Sequence, residues 1–127
     1  MVIRKDNIPV SKKENWCGGK GELYWHHFLV KEDSEGAGRL FALSVLPPGA
    51  SIGSHTHTGD MEVYYILRGR ALCSDNGEMT ELSEGDVIIT PNGEAHSIEN
   101  IGTEDLYYLS LILFDHRNCQ SKANKEV

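Results

Sequence analysis

Turn-forming residues interrupt this chain about every ten positions, and between the interruptions no amphipathic segment of helical period extends beyond a turn or two. The breaks fall at Ser34-Glu35-Gly36, Pro47-Pro48-Gly49, Thr58-Gly59-Asp60, Asp75-Asn76-Gly77, Glu84-Gly85-Asp86, Pro91-Asn92-Gly93 and Asn100-Ile101-Gly102. Each supplies glycine, proline, asparagine or aspartate, the residues that tight reversals favour. The short apolar runs between them predict strands over 22–30, 39–46, 54–57, 61–67, 70–74, 80–82, 87–90, 96–99 and 106–114. Strands this short, reversed this often, bury a face only against a second sheet, so the chain is read as all-β, a sandwich or a barrel. Asn76-Gly77 is the firmest hairpin signal, because both residues tolerate the positive φ of a two-residue turn.

At 127 residues the chain has room for one domain, and 39% apolar with 24% charged residues is the balance of a globular core rather than of a disordered segment. The expected division is an N-terminal arm over 1–20, a barrel over 21–115 and a polar C-terminal tail over 116–127. Residues 11–15 are polar and read as part of the arm. Several strands are apolar on both faces. In 106–114, Leu106, Tyr108, Ser110, Ile112 and Phe114 alternate with Tyr107, Leu109, Leu111 and Leu113. A small barrel has one interior, so the second apolar face needs a cover, and a homodimer is the simplest one.

The formal charge of −7 disfavours phosphate backbones and anionic lipid as partners, so neither nucleic acid nor membrane is expected. No stretch has the roughly 20 apolar residues of a membrane span, and residues 1–10 lack the pattern of a cleaved leader, which makes a cytoplasmic location the expectation. Cys17, Cys73 and Cys119 are odd in number and far apart, as reduced thiols are, and Cys73 reads as a small buried hydrophobe.

Histidine is where the chemistry concentrates. His55 and His57 lie two apart, which on a strand directs both rings to one face. Glu62 follows a Thr-Gly-Asp turn that can bring the next strand alongside, and His96 arrives just after Pro91-Asn92-Gly93. Three imidazoles and a carboxylate suit Mn, Fe, Co, Ni or Zn, and the lack of thiolates argues against a closed structural zinc site. From the His-x-His pair alone, the alternative that these side chains never meet stays open.

The spacing of these residues resembles the two motifs of the cupin superfamily. The first motif is matched by Gly49, His55, His57, Glu62 and Gly69, and the second by Gly85, Pro91, Gly93, His96 and Asn100, each at the family's offset. The resemblance implies a double-stranded β-helix, or jelly-roll, barrel with His55, His57, Glu62 and His96 as ligands of one divalent metal ion, such as Mn, Fe, Ni or Zn. It also implies dimerisation through outer strands. The chain looks like the small cupins called oxalate decarboxylase-like or mannose-6-phosphate isomerase-like, and the likeness covers the barrel and its metal set.

Three functional readings follow from that resemblance. In the first, a metal acting as Lewis acid works on a small carboxylate or sugar acid, as in a lyase, isomerase or decarboxylase, with Tyr64 or Glu62 as the base. Tyr64 shares a strand face with Glu62 and equally suits filling the barrel. The second is an Fe(II)-dependent dioxygenase, and the third a non-catalytic barrel that binds a small ligand or a metal. Arg39 would meet an anionic or polyhydroxy substrate only if its strand lines the barrel; otherwise it ends a strand in solvent. His26 and His27 point to opposite faces, so one could enter the barrel, but both read first as packed or surface residues; Glu94 and Glu99 read as groups that could orient His96, and His116 as part of the polar tail.

Overall fold

The computed structural model describes residues 1–117. Ten strands follow one another as β1 (Val10–Glu14), β2 (Glu22–Leu29), β3 (Gly38–Leu46), β4 (Ser51–Thr56), β5 (Asp60–Arg68), β6 (Ala71–Asp75), β7 (Glu78–Leu82), β8 (Val87–Thr90), β9 (Ala95–Asn100) and β10 (Leu106–Phe114). They form a six-stranded sheet, ordered β1-β2-β3-β10-β5-β8, and a four-stranded sheet, ordered β4-β9-β6-β7. Every pairing is antiparallel. The two sheets face each other as a jelly-roll barrel, the all-β architecture read from the turn spacing.

Period-two burial explains the packing. Along β5 the inward residues are Asp60, Glu62, Tyr64 and Ile66, and along β10 they are Leu106, Tyr108, Ser110 and Ile112. The core joins Tyr64, Ile66, Leu106 and Tyr108 of these to Leu23, Leu46, Ile52, Cys73 and Ile98 from both sheets. Cys73 is thus the small buried hydrophobe expected of it, and burial pushes its thiol up to about 12. The Asn76-Gly77 hairpin forms as expected, with φ of 48° and 93°.

β1 was not among the predicted strands. It lies in the stretch read as a polar arm, yet it pairs with β2 over its whole length, from Val10 opposite His26 to Glu14 opposite Glu22. Its sequence, Val-Ser-Lys-Lys-Glu, has no apolar period because it is an edge strand whose outward side carries the exposed charges of Lys12 and Glu14. Ser11 and Lys13 are its half-buried side. At the other end, Asp115 donates its N–H to the Gly59 carbonyl and its carboxylate pairs with Arg117, so the described start of the polar tail is fastened to the barrel rim. The rest of the 116–127 tail, with Cys119, lies outside the described residues.

Candidate metal centre

Four side chains from three parts of the fold converge at one end of the barrel. His55 on β4 stands directly opposite His96 on β9 in the strand register, which brings their rings to 4.5 Å. Glu62 comes from β5 in the other sheet. His57 lies one residue beyond β4, and the Pro91-Asn92-Gly93 turn holds it in place: its N–H donates to the Glu94 carbonyl at 3.0 Å and its carbonyl accepts from the Gly93 N–H at 2.7 Å. Gly93 reaches this position with φ of 94°, so the second motif's turn secures a histidine of the first.

The ring nitrogens divide cleanly by role. Each Nδ1 faces a partner of its own: the Gly53 carbonyl at 2.8 Å for His55, the Asp60 carboxylate at 2.7 Å for His57, and the Thr90 hydroxyl at 2.7 Å for His96. The carbonyl and carboxylate only accept, so His55 and His57 carry a proton on Nδ1 and turn Nε2 inward. There the Nε2 atoms of His55 and His96 are 2.9 Å apart, those of His57 and His96 3.1 Å, and Glu62 Oε1 is 3.0 Å from both His57 and His96 Nε2. All four donor atoms lie within 4.8 Å of one another. Lone pairs and a carboxylate this close repel unless a cation or protons lie between them.

The spacing fits a metal ion. Two donors about 2.1 Å from a common ion stand roughly 3.0 Å apart at right angles and about 3.4 Å apart at a tetrahedral angle. Four of the six donor pairs, at 2.9 to 3.1 Å, match the right-angled arrangement, which leaves positions for further ligands. His55, His57, Glu62 and His96 are therefore a set that could hold one metal ion, and the alternative that they never meet is set aside.

Electrostatics follow the geometry. Burial pushes His55 down, whereas the hydrogen bond to Glu62 raises His57 despite its burial. Burial pushes Glu62 up, but the bonds from His57 and His96 together outweigh it and leave the carboxyl below its ordinary range. Tyr64 stacks on His96 at 4.8 Å with its hydroxyl 3.4 Å from Nε2, and burial drives its pKa well above the ordinary phenol value. It is a proton donor at neutral pH.

Three residues of this centre were missed in the sequence reading. Asp60, Thr90 and Gly53 orient the rings, whereas neither Glu94 nor Glu99, the residues expected to do so for His96, has its side chain bonded to that ring. Thr90 stands directly opposite Glu62 in the β5–β8 register, so its position follows from the sheet rather than from nearness to His96 in sequence. Gly53 has a second reason to lack a side chain: a Cβ there would lie 2.0 Å from the Cys17 carbonyl oxygen, where the Trp16–Gly18 turn rests on β4. Arg39 sits at the cavity rim, its side chain still partly in solvent, and its Nε donates to Asp60 at 2.8 Å. His27 also lines the cavity and is packed there, its Nε2 2.7 Å from the Ser11 hydroxyl and its ring edge-on to Trp25.

Antiparallel sheets closed over an inward three-histidine, one-glutamate set define a jelly-roll barrel with a candidate metal centre. Residues 42–112 match the cupin domain family, and the chain belongs to it. It is 46% identical over 113 residues to an oxalate-binding protein of Thermotoga maritima, covering 89% of this chain and 93% of that protein. A crystal structure of a predicted oxalate decarboxylase from Thermotoga maritima superposes with a TM-score of 0.85 at 45% identity, over 91% of this chain and 100% of that one. The oxalate decarboxylase of Bacillus subtilis is 35% identical over 80 residues, which are 59% of this chain and 21% of that enzyme.

Proposed function

We propose that this cupin holds one divalent ion, Mn, Fe, Ni or Zn, through His55, His57, Glu62 and His96, and uses it to bind a small carboxylate. The observation that carries this reading is the inward convergence of three Nε2 atoms and Glu62 Oε1 while every Nδ1 is tied off. A bound divalent ion supplies Lewis acidity, polarising a carboxylate or hydroxyl oxygen brought to its open positions. The 46% identity to an oxalate-binding protein supports a carboxylate as ligand.

The chain's own residues complete the site. Arg39, steadied by Asp60, presents positive charge at the cavity wall and orients an anion. Tyr64 donates a hydrogen bond toward the centre. As an enzyme, the protein would be a lyase, isomerase or decarboxylase acting on that carboxylate, with Tyr64 as acid. Neither candidate base is well suited to its role, since burial holds Tyr64 as the phenol and Glu62 is bonded to two imidazoles. That specific feature favours, as the second reading, a barrel that binds its ligand without turning it over. The Fe(II) dioxygenase version uses the same donors and differs in consuming oxygen.

The test is elemental mass spectrometry on untagged protein beside the His55→Ala/His57→Ala variant, followed by calorimetric titration with oxalate. About one equivalent of metal in the wild type, almost none in the variant, and oxalate binding that disappears on chelation support the reading. Equal metal in both proteins overturns it.

We also propose a cytoplasmic homodimer. The outer face of the six-stranded sheet carries Tyr65, Leu67, Val87, Ile89 and Leu113, all exposed and all apolar or aromatic, which a second copy would cover. Among the described residues Cys17 and Cys73 are free thiols, in keeping with a reducing compartment.

A further inference from the structure

The cavity above the candidate metal centre is built for something larger than oxalate. Its volume is about 280 Å³. Oxalate, with six heavy atoms, displaces only a few waters of about 30 Å³ each, and the cavity lies just under the ~300 Å³ at which drug-sized ligand pockets begin. Its apolar walls are Trp16, Trp25, Leu40, Ile52 and Ile112. A second carboxylate set against those apolar walls would lose water and gain no hydrogen bond.

The aromatic pair has a defined geometry. Trp16 and Trp25 meet edge to face at 5.7 Å, and the Lys13 ammonium lies 5.2 Å from the Trp16 ring centre. Trp16 remains partly exposed at the mouth, so a ring entering from solvent meets it first. Arg39 uses Nε for Asp60, and its two terminal nitrogens have no partner among the described residues, which leaves that edge of the guanidinium for an anion. Anion-binding groups thus sit beside aromatic and aliphatic surface within one cavity.

We propose that the ligand of this site is an aryl-bearing 2-hydroxy or 2-oxo carboxylate. Its two adjacent oxygens face the histidine and glutamate donors under Arg39, and its ring lies against Trp16 and Trp25. This inference rests on the metal and carboxylate reading above and names the ligand class within it. Moving a phenyl ring from water onto these walls is sufficient for a tenfold or greater gain in affinity.

Trp16 and Trp25 are the chain's two tryptophans, so intrinsic fluorescence reports this cavity. Glycolate and mandelate carry the same 2-hydroxycarboxylate head and differ by one phenyl ring. Both, with oxalate, are titrated into metal-loaded and chelator-treated protein, read by calorimetry and by tryptophan emission. The expected result is mandelate at least tenfold tighter than glycolate and oxalate, with emission changing along the same isotherm. In Trp16→Ala, mandelate and glycolate should come within threefold of each other, with metal content measured alongside. Metal-dependent binding in which glycolate or oxalate equals or exceeds mandelate in the wild type overturns this inference and leaves the metal-carboxylate reading standing. If none of the three binds in a metal-dependent manner, that reading falls and this inference with it. The wild-type ratio decides the matter even if Trp16→Ala does not fold.

Discussion

Asp60 accepts from His57 Nδ1 at 2.7 Å with one oxygen and from Arg39 Nε at 2.8 Å with the other, so a cavity-wall arginine and a candidate metal ligand share one carboxylate. That link makes Asp60 a positioning residue. Asp60→Asn keeps the shape but offers Nδ1 a weaker and ambiguous partner, and metal affinity should fall about 10- to 100-fold. Competition titration with a chromogenic chelator reads the loss, and an unchanged affinity contradicts the role.

Thr90 plays the corresponding part for His96, with its hydroxyl 2.7 Å from Nδ1 and both residues buried. Thr90→Val preserves volume and leaves that nitrogen without a partner. The expected cost is about 1–3 kcal/mol of stability from an unsatisfied buried polar atom, measured by urea denaturation of the metal-free protein. Serine at the same position should restore most of it.

Acid should weaken metal binding. His57 is raised above its ordinary 6.5, chiefly by its hydrogen bond to Glu62, so the metal-free protein holds a proton that an entering ion must displace. Affinity therefore rises with pH, by up to about tenfold per unit while His57 is protonated, and levels off above its raised value. Calorimetry of metal binding near neutral pH, in buffers of different ionisation enthalpy, should show about one proton released. No release would mean that His57 is already neutral.

A methyl group at position 53 should be costly. The Cβ of Gly53→Ala would meet the Cys17 carbonyl oxygen at 2.0 Å, and neither partner is a flexible side-chain end. The Trp16–Gly18 turn must lift, and the loss is estimated at about 1–3 kcal/mol, seen as a lower melting temperature. Because the same residue's carbonyl holds His55, metal affinity should drop as well.

Val87 and Ile89 are more than half exposed on edge strand β8, at the rim of the outer apolar face. Ile89→Lys should convert the proposed dimer to monomer in sedimentation equilibrium, with the metal site intact. A wild type that sediments as monomer at micromolar concentration removes the premise.

What the sequence disclosed was whatever has a period or a fixed spacing. Alternating Leu106, Tyr108 and Ser110 marked β10, and the offsets of Gly49, His55, His57 and Glu62 marked the donor set. The parts that escaped depend on pairing across the sheets. β1 has no apolar alternation because charge is what protects an edge, and Lys12 and Glu14 supply it. Asp60 looked like one residue of a turn, and Thr90 like the polar end of a strand. Neither position signals that its side chain faces a histidine until β5 and β8 are laid side by side. Whether Arg39 and His27 face the cavity stayed open for the same reason, since their strands had no assigned face until the sheet order was known.

The donor set is divided between layers: His55 and His96 belong to the four-stranded sheet and Glu62 to the six-stranded one. An ion gripped by all of them would rivet the two halves of the barrel together. Any excursion that parts the sheets at that end would have to break ligand bonds first, so occupancy should slow amide exchange on both sides of the sandwich at once. Such a barrel would carry a record of its metal in its breathing, legible in strands that never touch the ion.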